Sequence, residues 1–438
     1  MKRVWRHIIR PDHRFYQEID RICLASKNLY NTVMYTVRHS FFYGYGVPSW
    51  GKLDEYFRES DVYKALPAKV SQLVIKQVSD SWDTYFKALA AYKEDPKKFT
   101  GKPKIPGYKD TNGRNIVKYN NQAYSKRELA KYGVVCPSKT SLRVPAKSIT
   151  QDNLVEVRLV PKYGYYVIEV VYEVDDPVVC QPSQSLVAAI DLGLDNLATV
   201  VFNAPNVSPF IINGKPLKSV NQWWNKQKAW LQSLLPKGQH TSKRIEAITR
   251  KRNCYGDNYI HHATKRIVEE IQTLGVWKVV VGKNPEWKRE VNLGRVNNQK
   301  FIQIPYNKFI NVLTYKLEAV GIEIVVAEES YTSKASFLDW DNIPTYNPEV
   351  KQKHKFSGKR IKRAWYKTSD GTLIHADVNG AYNIGRKVVP TAFESLKSIV
   401  ARDRGCLVVH PRRITPVFPS QYGSTQSLLK TQVAKQMA

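Results

Sequence analysis

A mixed α/β fold, preceded by a β-rich part that helices interrupt, is the architecture that this chain of 438 residues predicts. Three observations predict it. Residues 186–213 spell three short apolar runs in succession, and long amphipathic segments then alternate with two further apolar runs. Within the first run, Ala188-Ala189-Ile190-Asp191-Leu192-Gly193-Leu194-Asp195-Asn196, one carboxylate interrupts a sequence of buried-strand type. Far downstream, Ile374-His375-Ala376-Asp377-Val378-Asn379-Gly380-Ala381-Tyr382-Asn383-Ile384 places a second carboxylate where a helix begins.

The elements follow in chain order. Residues 1–11, with Val4, Trp5, Ile8 and Ile9, read as an opening strand. Helical periodicity runs from Phe15 to Phe42, with Ile19, Ile22, Cys23, Leu29, Tyr30 and Val33 on one face, and again from Lys69 to Tyr92. Lys97 to Tyr108 (KKFTGKPKIPGY) is an extended connector, because residues before proline avoid the helical region. It reads either as a solvated linker or as a backbone-tracking loop, in which Lys102, Lys104 and Tyr108 suit phosphates and base stacking. Strands are expected at Asn115–Tyr119, Ser141–Val144, Val155–Leu159 and Tyr165–Tyr172, the last two joined by a turn at Pro161-Lys162-Tyr163-Gly164. With the first strand they would form a small β-barrel over 1–11 and 110–180, interrupted by a helical part over 12–109.

From Ser185 the expected order is strands at 186–193, 196–203 and 208–213, and helices at 216–235 and 241–274. A strand at 276–282, a helix at 305–319, a strand at 322–328 and the Asp377 helix complete it. That order is RNase H-like. An ionised carboxylate inside a strand is costly unless it is paired or binds a metal. The bland alternatives are a turn-capping role for Asp191 and a helix-starting role for Asp377. Taken together, a first-strand Asp and a late-helix Asp are how an RNase H-like nuclease assembles a site for two oxygen-liganded Mg²⁺ ions.

Charge points to the same partner class. Lys and Arg number 68 against 38 Asp and Glu, a net charge of +30, and a polyanionic partner is the simplest account. The two long helices carry Trp223, Trp224, Lys226, Lys228 and Trp230, then Lys243, Arg244, Arg250, Lys251, Arg252, His261, His262, Lys265 and Arg266. One basic side of each suits a nucleic acid, with Arg252 and His261 as candidate contacts; solvated faces are the alternative. No run approaches the roughly 20 apolar residues of a membrane span. The five cysteines are scattered without a CxxC pair, so a reducing cytoplasm, nucleoid-associated, is the expected compartment.

At this point the residues resemble a known family. AIDLGLDNLATV, the helix with Lys251-Arg252 and His261, Thr332-Ser333 after a late strand, HADVNGAYNI, and upstream Asn28-Leu29-Tyr30-Asn31 and GKPKIPGY are similar to TnpB. Those are transposon-encoded RNA-guided DNA nucleases related to the type V CRISPR effectors. The resemblance covers roughly residues 1–387 and implies a β-barrel wedge domain, an inserted helical recognition domain at 12–109 and a RuvC nuclease domain at 185–387. It also implies a guide RNA from the transposon end, double-stranded target DNA cut beside a short motif, and no membrane partner. A monomer is expected, and residues 388–438 are left as a tail.

Two departures from the family stand out. Its central carboxylate falls here on Gly282, and glycine cannot bind a metal. The next strand ends in Ala327-Glu328-Glu329-Ser330, and adjacent parallel strand ends lie only about 5 Å apart. Glu329 is therefore the chosen third ligand beside Asp191 and Asp377, as in a TnpB subset and its Fanzor relatives, with Glu328 and Glu286 in reserve. The ions expected are two Mg²⁺, with Mn²⁺ as the other candidate. Second, the insert at 334–372 lacks the family's four zinc-binding cysteines, so no structural zinc is expected. It carries Lys359, Arg360, Lys362 and Arg363, read as a basic lid on nucleic acid or as a disordered loop. Lys283 and Arg386 are further candidate phosphate contacts. Beside the nuclease stand two alternatives, a nuclease-dead RNA-guided DNA-binding repressor, which Gly282 favours, and a transposase acting without RNA.

Overall fold

The computed structural model describes residues 1–146, 149–175, 186–284, 302–346, 354–403, 405, 407 and 409–416. They fall into two compact units, Met1–Asp176 and Pro177–Ala438.

In the first unit, β1 (Lys2–Ile9) is followed by α1 (Tyr16–Phe42), α2 (Trp50–Phe57), α3 (Asp61–Lys64) and α4 (Ala68–Glu94). Then come β2 (Val117–Asn120), α5 (Lys126–Tyr132), β3 (Val134–Val135), β4 (Val144–Pro145), β5 (Leu154–Lys162) and β6 (Tyr165–Glu173). The short helices α2, α3 and α5 were not anticipated, because each buries only one to three residues and carries little periodic signal. On α1 the buried positions Ile19, Ile22, Cys23, Ser26, Leu29, Tyr30, Val33 and Val37 recur at helical spacing and meet Val70, Val74, Val78 and Trp82 of α4 in one core.

The strands form an antiparallel sheet in the linear order β1-β6-β5-β2, with β3 and β4 paired apart from it. No pairing of β1 with β2 closes a barrel among the described residues. The expected four-residue turn also shortens, because Pro161 and Lys162 pair with Tyr166 and Tyr165, leaving Tyr163-Gly164 to make the turn. Gly164 supplies the positive φ, 76°, that a two-residue hairpin needs. The connector that follows α4 is clasped to α1. Asn31 accepts from the Lys109 amide and donates to its carbonyl, Arg38 donates to the Pro106 carbonyl, and Lys27 to that of Thr111.

The second unit contains β7 (Val187–Leu192), β8 (Asn196–Phe202), β9 (Phe210–Asn213), α6 (Lys215–Ser233), α7 (Lys243–Thr273) and β10 (Lys278–Gly282). It continues with α8 (Tyr306–Glu318), β11 (Glu323–Ala327), β12 (Lys359–Lys362), β13 (Trp365–Lys367) and β14 (Leu373–His375). Helices α9 (Ala376–Val388) and α10 (Pro390–Arg402) and strand β15 (Arg412–Ile414) end it. Its main sheet has the order β11-β10-β7-β8-β9-β15. The hairpin-linked strands β7, β8 and β9 are antiparallel, whereas β10 and β11 join β7 in parallel through helical crossovers. This is the RNase H-like arrangement.

Apolar side chains alternate to both faces of the sheet. Ala188, Ile190, Val279 and Val281 face a core shared with α6, α7 and α8, and Val187, Ala189 and Val280 face one shared with α9, α10 and the insert. The sheet does not stop at residue 387. Strand β15 pairs in parallel with β9, Phe393, Leu396 and Val400 of α10 lie in the second core, and so part of the expected tail completes the unit. No helix among the described residues is long and apolar enough to cross a membrane.

Candidate active site

Strand alternation places the first carboxylate. With Ile190 and Leu192 directed to one core, Asp191 shares the opposite face with Val187 and Ala189, beneath α9. Helix α9 approaches closely because its facing residues are small. A Cβ on Gly380 would stand 3.1 Å from Asp191 Oδ2, and one on Gly385 would stand 2.9 Å from the Ala189 Cβ. Asp377 lies in the first turn of the same helix, where its Oδ2 accepts from Asn196 Nδ2 at 2.6 Å.

The third carboxylate arrives from the neighbouring strand. Gly282 is paired with Ala327, the Lys283 amide donates to the Ala327 carbonyl, and Asn284 Oδ1 accepts from the Glu329 amide. These bonds fix where the chain leaves β11. Two residues beyond Ala327, the Glu329 carboxylate lies over Gly282, so that a Cβ at 282 would stand 2.4 Å from Glu329 Oε2 and 2.5 Å from Ile384 Cδ1. Glycine at 282 is thus the space that Glu329 occupies. The chain then turns sharply. Tyr331 adopts a left-handed φ of 65°, and both the amide and the hydroxyl of Thr332 donate back to the Glu329 carbonyl.

The electrostatics separate the two adjacent glutamates. Burial, and secondarily the Glu328 charge, push Glu329 up to about 7, and its buried Oε2 has no hydrogen-bond donor among the described residues. Glu328 points away. Its two oxygens accept from Lys387 Nζ and from the Ser330 amide, and those bonds outweigh its desolvation and hold it below the usual range. Asp191 is raised well above the ordinary carboxylate range, first by burial and then by the charges of Glu329 and Asp377. Tyr306 of α8 closes the far side, donating to the Gly193 carbonyl at 3.0 Å.

The donor set has the chemistry of a hard divalent cation site, three carboxylates with one buried oxygen left unpartnered among the described residues. As they stand, no three His, Cys, Asp or Glu side chains among the described residues are grouped so as to hold a metal ion. Asp377 is instead held by Asn196 and by Arg360, whose guanidinium lies 3.3 Å from Oδ1.

The other expected site residues divide. Arg360 and Arg363 sit on a hairpin of β12 and β13, where Arg363 pairs with Asp195 at 2.6 Å and Lys218 takes the same carboxylate at 2.7 Å. The expected basic insert is thus ion-paired to acids of this site, while Lys359 is exposed on β12. Arg386 is buried, donates to the Asp341 carbonyl and to Asn383, and stacks near Trp340, so it is a core clamp and not a phosphate contact. Arg252 is also occupied, by Asn221, Asn253 and the Gln303 carbonyl, and His261 is packed against Tyr315 and Lys316 of α8. Lys283 stands at the end of β10, half-buried. In the other unit, Lys102, Lys104 and Tyr108 are exposed on the clasped connector, with the Arg38 guanidinium 5.4 Å from the Tyr108 ring. Glu286 lies outside the described residues.

Sequence reasoning missed three supporting residues. Asn196, expected only as the first residue of the strand at 196–203, holds Asp377. Asn379 and Asn383, four apart inside the quoted motif, are fully buried and bind the Ala335 and Thr332 carbonyls and the Phe337 amide, which anchors the insert to α9. Buried asparagines at that spacing are the signal that could have found them. The cysteine-free insert is knotted by aspartates. Asp341 accepts from the Ser336 and Ser357 amides, and Asp339 from the Ser369 amide and hydroxyl.

Residues 169–288 match the family OrfB_IS605, described as probable transposase, and residues 306–384 match the Cas12f1-like TNB domain. A curated relative, TnpB-like protein ORF457 of Acidianus two-tailed virus, is 20% identical over 436 residues, covering 92% of this chain and 89% of that one. Among solved structures, a Cas12f1-sgRNA-target DNA complex is similar at 17% identity and a TM-score of 0.34, over 88% of this chain and 98% of that one. CasPhi-2 (Cas12j) bound to crRNA is similar at 10% identity and a TM-score of 0.38, over 90% and 98%.

Proposed function

The chain belongs to the TnpB family, related to the type V effectors, and from that premise we propose that it is an RNA-guided DNA endonuclease. The observation that carries the reading is the Glu329 carboxylate lying in the space above Gly282, near enough to Asp191 to raise it, with an oxygen that no donor among the described residues satisfies. In this reading Asp191, Glu329 and Asp377 hold two divalent ions, Mg²⁺ or Mn²⁺. Such ions would supply Lewis-acid chemistry for hydrolysis of a DNA phosphodiester.

The protein's own contribution is position and charge. Strand β7 fixes Asp191 rigidly, the close packing of Gly380 brings α9 to it, and Asn284 orients the backbone of Glu329. Asn196 and Arg360 hold Asp377, and releasing the Arg360 pair frees a carboxylate oxygen for the site and a guanidinium for a phosphate. Sequence specificity comes from pairing between a guide RNA and the target strand, with a short adjacent motif read by the protein. The net charge of +30 supports binding of both polyanions.

The repressor reading rests on Gly282, and Glu329 above it weighs against that reading. The test uses protein purified with its RNA and a plasmid carrying the guide-matched sequence. Asp191→Ala is expected to abolish Mg²⁺-dependent cleavage while RNA binding is retained. Cleavage unchanged in that variant, or a wild type that binds the plasmid tightly and never cuts it, would refute the enzyme.

A further inference from the structure

A second surface of the nuclease unit has the chemistry of a strand-binding platform. Helices α6 and α7 pack against each other, and three of the α6 indoles each carry a cation. Lys251 Nζ lies 5.6 Å from the Trp223 ring, Arg244 lies 5.6 Å from the Trp230 ring, and Trp224 has Lys228 at 5.0 Å and Arg252 at 5.1 Å. Seven residues separate Trp223 from Trp230 and Arg244 from Lys251, so two matched rungs stand about 10 Å apart along the helices. Their mounting is fixed: Trp224 Nε1 donates to Thr249, and Arg252 is tied to Asn221, Asn253 and the Gln303 carbonyl.

The charge of this region is one-sided. Helix α6 and the first four turns of α7 carry Lys215, Lys218, Lys226, Lys228, Lys243, Arg244, Arg250, Lys251 and Arg252, with Glu246 as their one acidic residue. A helical pair that served only packing would keep its indoles in the core, yet Trp230 is 50% exposed and Leu234 is exposed beyond it. Duplex bases are already stacked on one another and offer phosphates but few π-faces. An unpaired strand offers both, and an indole backed by a cation among lysines is the complement to it.

Position selects the strand. Helix α6 starts at Gly214, where a Cβ would stand 2.5 Å from the Leu194 carbonyl oxygen, and Lys218 is paired with Asp195 in the turn that follows Asp191. Trp223 and Trp230 therefore lie on a helix rooted at the carboxylate site. Resting on the endonuclease reading above, we propose that the Trp223–Trp230 face of the α6–α7 pair binds the DNA strand to be cut, in single-stranded form, by base stacking.

The test measures binding, not cleavage. Full-length protein with the RNA it carries, in EDTA, is titrated with a fluorescein-labelled oligodeoxythymidine. Stacking on an aromatic side chain is substantial per base, so the Trp223→Ala/Trp230→Ala variant is expected to weaken binding about tenfold or more. Trp230→Ala alone, at a half-exposed position that does not endanger folding, is expected to weaken it several-fold, and Trp230→Phe to restore most of it. An unchanged affinity in both alanine variants would overturn the proposal, as would an equal loss of affinity for a blunt DNA duplex of the same length. Tighter, Trp-dependent binding of oligouridine RNA would overturn the assignment to DNA. Because EDTA removes any role of the carboxylates, Trp-dependent binding by a protein that never cleaves would refute the endonuclease and leave this surface standing.

Discussion

Glu329 is where a single side chain makes the site measurable. Its buried carboxyl, raised from 4.5 to about 7, favours the protonated form in the folded protein. The sign follows from linkage: the contribution is fully present below pH 4.5 and is lost as pH rises through about 7. Without divalent ions, thermal stability is therefore expected to fall across that window, by on the order of 3 kcal/mol at most. Glu329→Gln should reduce the fall, leaving the share of the buried Asp191, and Mg²⁺ at neutral pH should raise the melting temperature of the wild type more than that of the variant. A wild-type profile that is flat over this window in EDTA would contradict the burial of the acid. The neighbouring position gives a second check. Gly282→Ala places a Cβ 2.4 Å from Glu329 Oε2 and 2.5 Å from Ile384 Cδ1, and overpacking of this kind costs about 1–3 kcal/mol, read from a denaturation midpoint.

At the scale of elements, the packing of α9 on β7 and the anchoring of the insert explain what the sequence made legible. The strand at 187–192 and the helix at 376–388 were readable because one is an apolar run of buried-strand type and the other sets Ala376, Gly380 and Ile384 at helical spacing. The orientation of Glu329 rather than Glu328 was open in the sequence, because it depends on Lys387, far along the chain, which captures Glu328 together with the nearby Ser330 amide. Arg252 and Arg386 looked like surface cations, since nothing local announces a tertiary bond to Gln303 or Asp341. The insert's basic residues were legible in the sequence, whereas the turns that Asp341 and Asp339 hold by accepting from Ser336, Ser357 and Ser369 were not. Asp341→Ala removes the acceptor for two amides, and the expected result is a loss of about 1–3 kcal/mol with faster hydrogen exchange near Ser336 and Ser357. Protection there that matches the wild type would show that the apolar contacts of Phe337 and Tyr366 suffice.

For the whole molecule, charge is the property with the widest reach. A net charge of +30 makes the proposed binding of two polyanions strongly salt-dependent. For six to ten neutralised phosphates, DNA binding by the RNA-loaded protein is expected to weaken by about 10³–10⁵ between 50 and 200 mM salt. A slope near zero in a titration series would mean that the basic surfaces are turned away from the DNA. The sequence carried this feature in full, because net charge needs no fold. It carried the barrel of the N-terminal unit less well: whether the strands around β6 close on themselves or stay open is decided by register between β1 and β2, which no local pattern encodes. The same holds for β15, three residues whose strand character exists only beside β9.

The central claim is that Glu329 supplies the carboxylate that Gly282 lacks. Its most direct test is guide-programmed, Mg²⁺-dependent plasmid cleavage by wild type and by Glu329→Gln, which keeps the shape of the side chain and removes its charge. Cleavage is expected of the wild type, with a loss of at least about 10²-fold in rate for the variant and target binding unchanged. Equal cleavage by both proteins would contradict the claim and return the third ligand to another residue.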